Sequence, residues 1–389
     1  MRTPGMSVEP ILVRDLLAVA VAAEDRPEEF PVVPISRERA AAQACNPVAV
    51  ADDVGLLLLR KEGRCIGYLG LLPQQVAAAG ALRNVYALTT IFIERKHRGS
   101  GGAMMAAATG LGRDLLGVGG NKLAQRFLLK NGCRALSRYS AMRLTLPVAA
   151  WVGKVAARGK YVLRALAHPR SLHHTDKAEV LLRAATNPIR RRIAMAWSHR
   201  VAPAPRRHQL RRVPILAPTV EVEREAGTTH VYWDAATLNW MVTHPWFVEG
   251  RPKVGGPPER YHFGVYKSLF QYVTEEIFAV TSGRLVGFVV FLAHMRRGQP
   301  TLSVLQYRVP SADDRRLLLA RALEVGADFG VDVIIAGHEF LAFAQEGGLA
   351  AYNAVEERTT FIWPAADSVL AGPAHPYQER HTDGDIAFF

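Results

Sequence analysis

Residues 91–105 read IFIERKHRGSGGAMM. Ile91, Phe92 and Ile93 are strand formers, whereas Ala103, Met104 and Met105 open a run of small apolar residues suited to a helix. Between them lie Glu94 to Arg98 and the glycine-rich Gly99-Ser100-Gly101-Gly102. A helix start leaves backbone N–H groups unpaired and carries partial positive charge. Glycines there let the backbone approach a phosphate closely. No Gly-Lys-Ser/Thr follows, so this is not a Walker loop, and the dinucleotide GxGxxG spacing is absent. Taken alone, the stretch is also compatible with a plain glycine-rich turn.

The surrounding sequence alternates. PILVRDL at 10–16 and ALRNVYALTTIFIE at 81–94 read as strands, and SRERAAAQAC at 36–45 as a helix capped by Ser36. VGLLLLRKEGRCIGYLGLLPQQV at 54–76 is two apolar runs around Lys-Glu-Gly, a hairpin signal. Downstream, GAMMAAATGLGRDLL at 102–116 and NKLAQRFLLKNG at 121–132 read as helices, the second closed by Gly132, and CRALSRYSAMRLTL as a strand. A second alternating pattern begins at Thr219. EIFAVTSGRLVGFVVFLAH is again a hairpin, TLSVLQYRV a strand, SADDRRLLLARALEVGADFG a capped helix and VDVIIAG a strand. GRCIGYLGLL at 63–72 and GRLVGFVVFL at 283–292 both run Gly-Arg, two apolar residues, Gly, an aromatic and an apolar run. A duplication explains this, and so does any hairpin with the same spacing.

With 389 residues, 49% hydrophobic and 21% charged, the chain reads as folded and long enough for two domains. No long uncharged apolar run marks a transmembrane helix. Arg14, Asp15 and Glu24 interrupt the apolar start, which argues against a signal peptide. Cys45, Cys65 and Cys133 form neither a zinc pattern nor a disulfide framework, so a reducing cytoplasm is expected. The net charge of +13 is local: residues 151–217 hold 15 Lys and Arg against Asp176 and Glu179, and the rest of the chain balances.

Arg98-x-x-Gly101-x-Ala103 resembles the Q/R-x-x-G-x-G/A signature of the GNAT superfamily of acyl-CoA acyltransferases. Asn121, Ala124, Lys130 and Gly132 stand where that family has its second signature. The likeness covers roughly residues 10–147. The second half is similar to the companion domain of two-domain GNAT proteins associated with bacterial surface polysaccharides. WDAATLNWMVTHP has Met241 where Arg is usual, and DGDIAFF resembles a tail of such proteins. The resemblance implies an α/β (α+β) fold of two GNAT-like mixed-sheet domains, at 1–147 and 218–389, joined by a basic, partly helical segment at 148–217. PSADDRRL replaces the glycine loop in the second half, and Asp313 and Asp314 would repel a pyrophosphate there.

The resemblance further implies that acetyl-CoA or acyl-CoA lays its pyrophosphate on the amides of Arg98, Gly99, Ser100, Gly101, Gly102 and Ala103, near Asn121. Its pantetheine arm pairs with a splayed strand at Phe92 and Ile93. An amine then attacks the thioester, which calls for a base. Glu94 is the first carboxylate beside the loop and equally suits a solvated surface charge. His97 suits a phosphate or ribose contact. The proton-donating Tyr usual in the family falls at Leu128, and Tyr139 on the next strand is the substitute, or a core residue. Asp383 and Asp385 around Gly384 suit a solvated turn or a polar ligand. His173, His174 and His381 lack metal-ligand spacing, and no metal is expected.

On a helical wheel, residues 148–168 place Trp151, Val155 and Leu166 on one side, Lys160 and Arg164 on the opposite one, and Lys154 and Arg158 along the apolar flank. A helix packed on the first domain gives this pattern, and so does an interfacial helix on an anionic membrane. Nucleic-acid binding ranks last, because no RNA or DNA motif accompanies the charge. The combined expectation is a cytoplasmic N-acetyltransferase, peripheral at the inner membrane face if the helix is interfacial. It would act on an amine acceptor such as an amino sugar of a surface-polysaccharide precursor. A Fem-type transferase using charged tRNA and a non-catalytic CoA-binding scaffold remain as alternatives.

Overall fold

The protein was analysed as a computed structural model that describes residues 5–78, 80–118, 122–146, 188–189, 191–202, 207–219, 229–250, 260–262, 264–296, 298–349, 353–365, 368 and 370. Asn121, the 148–168 segment, His173, His174, His381, Asp383 and Asp385 lie outside them.

Strands run in chain order from β1 (Met6–Leu12) through β2 (Val54–Lys61), β3 (Arg64–Ala78), β4 (Ala81–Ile93), β5 (Leu115–Val118) and β6 (Arg134–Thr145). There follow β7 (His208–Val213), β8 (His230–Val231), β9 (Val248–Glu249), β10 (Tyr266–Lys267), β11 (Phe270–Ala279), β12 (Leu285–Arg296), β13 (Gln299–Arg308), β14 (Val333–Gly337) and β15 (Asn353–Trp363). The helices are α1 (Leu16–Asp25), α2 (Arg37–Ala44), α3 (Gly101–Thr109), α4 (Lys122–Lys130), α5 (Ala235–Thr243), α6 (Arg315–Asp328) and α7 (Leu341–Glu346). The fold is mixed α/β, with antiparallel and parallel strand pairing in both units. No helix among the described residues is long and apolar enough to cross a membrane.

Two compact units divide the chain, and neither is one continuous stretch. The first comprises residues 1–139, 215–270 and 357–389, and the second 140–214 and 271–356. This differs from the three consecutive ranges expected. Side chains explain why 215–270 joins the first unit. The Trp240 indole N–H on α5 donates to the Ala42 carbonyl at 2.7 Å, and Arg260 donates to the carbonyls of Ala23 and Phe30 at 2.8 and 2.6 Å. Met241 is fully buried.

The first unit is a sheet in the order β1-β2-β3-β4-β5-β15, with β8 on the far part of β3. Its β2–β3 hairpin turns at Glu62 and Gly63, both at positive φ. Alternation along β2 assigns the two faces. Leu56 and Leu58 pack with α1 and α2, whereas Leu57 and Leu59 pack with Met104 and Met105 of α3. Burying each such leucine contributes about 1.5–3 kcal/mol. α2 is capped by Ser36, whose hydroxyl accepts from Arg39 N at 3.2 Å. α3 ends at Thr109, so Leu115 and Leu116 belong to β5 rather than to the helix end expected. With only four residues between Gly110 and Leu115, the chain turns at Gly112, which has a positive φ of 72°.

The second unit is a sheet in the order β6-β14-β13-β12-β11-β7. The stretch expected to be a linker around RRHQLRRV is its edge strand, because β7 places Arg211 and Arg212 opposite Glu276 and Glu275 of β11. Cross-strand pairs of opposite charge favour that register.

Along the chain one order occurs twice: hairpin, long strand, helix, short strand parallel to the long one, helix, final strand. These are first β2–β3, β4, α3, β5, α4 and β6, and then β11–β12, β13, α6, β14, α7 and β15. The glycines of the repeated decapeptide have matching duties. Gly63 and Gly283 turn at positive φ. A Cβ on Gly67 would meet the Phe92 carbonyl oxygen at 2.8 Å, and one on Gly287 would strike that of Arg308. The final strands are exchanged, since β15 pairs with β5 in the first unit and Ala141 to Thr145 of β6 pair with β14 in the second.

Candidate functional site

β4 is paired along its length with β3 but with β5 only at Tyr86, Ala87 and Leu88. A bulge follows at once: Leu71 faces Leu88 and Leu69 faces Ile91, so Thr89 and Thr90 together oppose Gly70. A bulge bends its strand and raises the local twist. Beyond it Ile91, Phe92 and Ile93 keep β3 as a partner and have none on the β5 side among the described residues. All three are half-buried. Among the described residues this strand edge is unpaired, so an extended group can add to it as a strand.

The open edge leads into the glycine loop. Glu94 N donates to the Ile66 carbonyl at 2.9 Å, and a 3-10 turn over Arg95–Ser100 delivers the chain to α3. No side chain caps α3 at Ser100. Its first-turn amides and the partial positive charge are therefore available to an anion. Arg95, Lys96 and Arg98 are exposed around this end. Gly101 packs against α4: a Cβ there would come 2.7 Å from the Phe127 ring and 3.2 Å from Ile93. A Cβ on Gly102 meets only Asn131, at 3.7 Å, and one on Gly99 meets nothing within 4 Å. Ala103 is exposed, so the loop combines one tightly packed glycine with open backbone.

Phe92, Ile93, Arg98, Gly99, Ser100, Gly101, Gly102 and Ala103 are thus contiguous at a strand-to-helix junction. Glu94 is mostly buried, with Oε1 accepting from Arg64 at 3.0 Å and Oε2 lying 3.3 Å from Lys96. It is not the free surface carboxylate of one sequence reading. Tyr139 lies on β6; its side chain is outside the described set. Leu128, at the place of the family's Tyr, packs in the apolar cluster of Met104, Met105 and Phe127. No group of three or more His, Cys, Asp or Glu able to hold a metal occurs among the described residues.

Sequence reasoning missed the opposite side of the same strand segment. Phe92 stacks on Tyr68 at 5.7 Å between ring centroids, and the exposed His262 leans on Phe92 at 5.2 Å. Behind them Arg39 reaches the bulge, donating to Thr90 Oγ1 at 3.2 Å and to Thr89 Oγ1. Arg39 has no sequence signal beyond its place in a helix, and Tyr261 and His262 sit more than 160 residues from β4. The corresponding helix end of the second unit is closed. Asp314 carries a capping box with Ser311, and its carboxylate is 3.2 Å from His208 Nδ1.

No protein-family model matches the chain, and no curated protein matches it. Solved structures do show likeness. A GCN5-related N-acetyltransferase from Anabaena variabilis is 8% identical, with TM-score 0.48, over 92% of this chain and 72% of that one. The N-myristoyltransferase of Saccharomyces cerevisiae with bound myristoyl-CoA is 8% identical, TM-score 0.48, over 93% and 80%. A tandem GNAT protein from the clavulanic acid biosynthesis pathway is 13% identical, TM-score 0.46, over 93% and 99%. Likeness this distant leaves the functional reading to the chain's own geometry.

Proposed function

We propose that this chain is a GNAT-type acyltransferase that moves an acyl group from acyl-CoA to an amine. The observation that carries the reading is the open edge at Ile91, Phe92 and Ile93, running directly into the uncapped start of α3. The amides of Arg98 to Ala103 take the pyrophosphate, helped by Arg95, Lys96 and Arg98. The pantetheine amides pair with the open edge, which points the thioester toward the bulge. Asn121, next to α4 in the sequence, contributes in this reading.

In the reaction the amine lone pair attacks the thioester carbon. The C–N bond forms, the C–S bond breaks, the sulfur leaves as thiolate, and the amine gives its proton to a base. Glu94 and His262 are the proton acceptors beside the open edge, and Tyr139 is the proposed donor to the thiolate. The acceptor implied by the family resemblance is an amino sugar. Leu128 favours one rival reading, a CoA-binding scaffold without catalysis, because an apolar side chain there supplies no proton.

The test is thermal unfolding with and without CoA and acetyl-CoA, since a ligand bound only by the folded state raises the Tm. Gly99→Asp places a carboxylate at the pyrophosphate without a packing clash and is expected to abolish the shift. An unchanged shift in that variant overturns the site. Thiol release from acetyl-CoA with an amine panel separates the enzyme from the scaffold.

A further inference from the structure

Arg39 is 2% exposed, yet no carboxylate approaches it among the described residues. Its Nη1 donates to Thr90 Oγ1 at 3.2 Å and to the Tyr261 hydroxyl at 3.3 Å, and its Nη2 donates to Thr89 Oγ1. The guanidinium lies 4.0 Å over the Trp246 ring. All these partners are neutral. A guanidinium has five N–H donors, and the Nε–H of Arg39 has no acceptor among the described residues. Tyr68 beside it is fully buried, and its hydroxyl has no partner among the described residues either. Burial pushes that phenol's pKa up, while Arg39 is close enough to pull against the rise.

The second unit pairs its half-buried Arg321 with carboxylates, one of them the fully buried Glu275. Arg321 donates to both oxygens of Glu275, at 2.8 and 2.6 Å, and to Glu324 at 2.9 Å. A buried charge is normally paired in this way, because leaving water without a counter-ion is costly. Arg39 keeps a cation and unused donors in a dry place instead. That place is the bulge, where β4 parts from β5. Tyr68, Tyr261 and Phe92 belong to the α1–α2 face of the sheet, whereas Ile91, Ile93 and α3 belong to the other. Exposure falls from His262 through Phe92 to Tyr68, three rings in contact that run from the surface to the buried phenol.

We infer that Arg39 and Tyr68 bind the carboxylate of the acceptor, which is therefore an amine that also carries a carboxylate, as amino acids do. This rests on the acyltransferase reading and narrows its acceptor. The carboxylate pairs with the Nε edge of the guanidinium and accepts from the Tyr68 hydroxyl. The amine of the same molecule is then held near the bulge, facing a thioester delivered from the opposite face. Charge selects the acceptor, because a molecule without the carboxylate leaves the cation uncompensated.

The experiment uses matched pairs that differ in the carboxylate alone: L-phenylalanine and phenethylamine, L-tyrosine and tyramine, L-lysine and cadaverine. Acetyl transfer is read as thiol release, and binding to the CoA-loaded protein as a Tm shift. In at least one pair the carboxylated member is expected to be favoured tenfold or more in kcat/KM, mainly through KM. Arg39→Gln is expected to erase that preference while acetyl-CoA binding stays within twofold. Tyr68→Phe removes one hydroxyl at constant packing and is expected to weaken the carboxylated member severalfold and leave its partner unchanged. Equal use of both members, a preference that survives Arg39→Gln, or no response to any carboxylated amine overturns the inference. Turnover of the carboxylate-free amines at least equal to that of their partners, with the CoA shift intact, overturns it alone. Loss of the CoA shift in the unaltered protein strikes the acyltransferase reading beneath it.

Discussion

Gly101 and Phe127 are in direct packing contact, so that a single added Cβ would come 2.7 Å from the ring. This contact ties the start of α3 to α4 and holds the loop amides in place. Gly101→Ala is expected to cost roughly 1–3 kcal/mol by overpacking and to weaken CoA binding. Gly102→Ala, whose Cβ meets only Asn131 at 3.7 Å, is expected to be neutral or to stabilise by a few tenths of a kcal/mol to about 1 kcal/mol. Chemical denaturation and titration with CoA check both.

The Glu275 carboxylate is fully buried and bound by Arg321, whose own pKa is raised chiefly by that hydrogen bond. Removing one partner strands the other charge. Arg321→Ala is expected to destabilise the second unit by about 3–5 kcal/mol. Breaking the largely exposed Arg191–Asp328 pair, at 3.4 Å, should cost at most about 1 kcal/mol. Urea unfolding of the two variants gives the comparison.

Cys65 and Cys133 are buried, and burial pushes both thiols up to about 11. Both remain neutral at physiological pH, so a maleimide should label the exposed Cys45 quickly and the other two only on unfolding. The folded state holds these protons more tightly than the unfolded one. Their stabilising effect is whole below about pH 9 and is lost as pH rises toward 11, by about 3 kcal/mol per thiol at most. Cys65→Ser and Cys133→Ser should flatten the stability profile in that window, measured by unfolding from pH 8 to 11.

β15 pairs Thr360, Phe361, Ile362 and Trp363 with Val118, Gly117, Leu116 and Leu115 of β5. A chain cut after residue 352 leaves β5 with an open edge and exposes part of the apolar cluster that includes Phe361. It is expected to lose the CoA-induced Tm shift and to aggregate, although the glycine loop is intact. A normal shift in the shortened chain would show that the first unit does not need its exchanged strand.

Gly67→Ala and Gly287→Ala test the repeat. Each Cβ would press on a backbone carbonyl, of Phe92 and Arg308, which cannot rotate away. Both changes are expected to destabilise their own unit by roughly 1–3 kcal/mol or more. Gly67→Ala alone should also lower CoA affinity, because it moves the open edge.

Local elements were legible where periodicity and turn chemistry act within a few residues. Lys-Glu-Gly marked the β2–β3 turn, Ser36 the start of α2, and Gly132, at φ 91°, the end of α4. The end of α3 was misplaced because GLGRDLL has no strong stop, and only pairing of Leu115 and Leu116 with Tyr86 and Ala87 makes a strand of them. RRHQLRRV looked like a linker because its strand partners, Glu275 and Glu276, lie more than 60 residues away.

By itself the sequence determined the strand, glycine loop and helix at 91–105 and the repeat of that order in the second half, since backbone sterics and helix-end chemistry are local. It also placed two acids where the second copy would otherwise offer an anion site. Only the tertiary structure decided which strand completes each sheet, where β4 parts from β5, and which side chains stand behind the opening. Those depend on pairing and burial between distant residues. The sequence marks Arg39 as helical; only packing among Thr89, Thr90, Trp246 and Tyr261 makes it a buried cation without a counter-ion among the described residues.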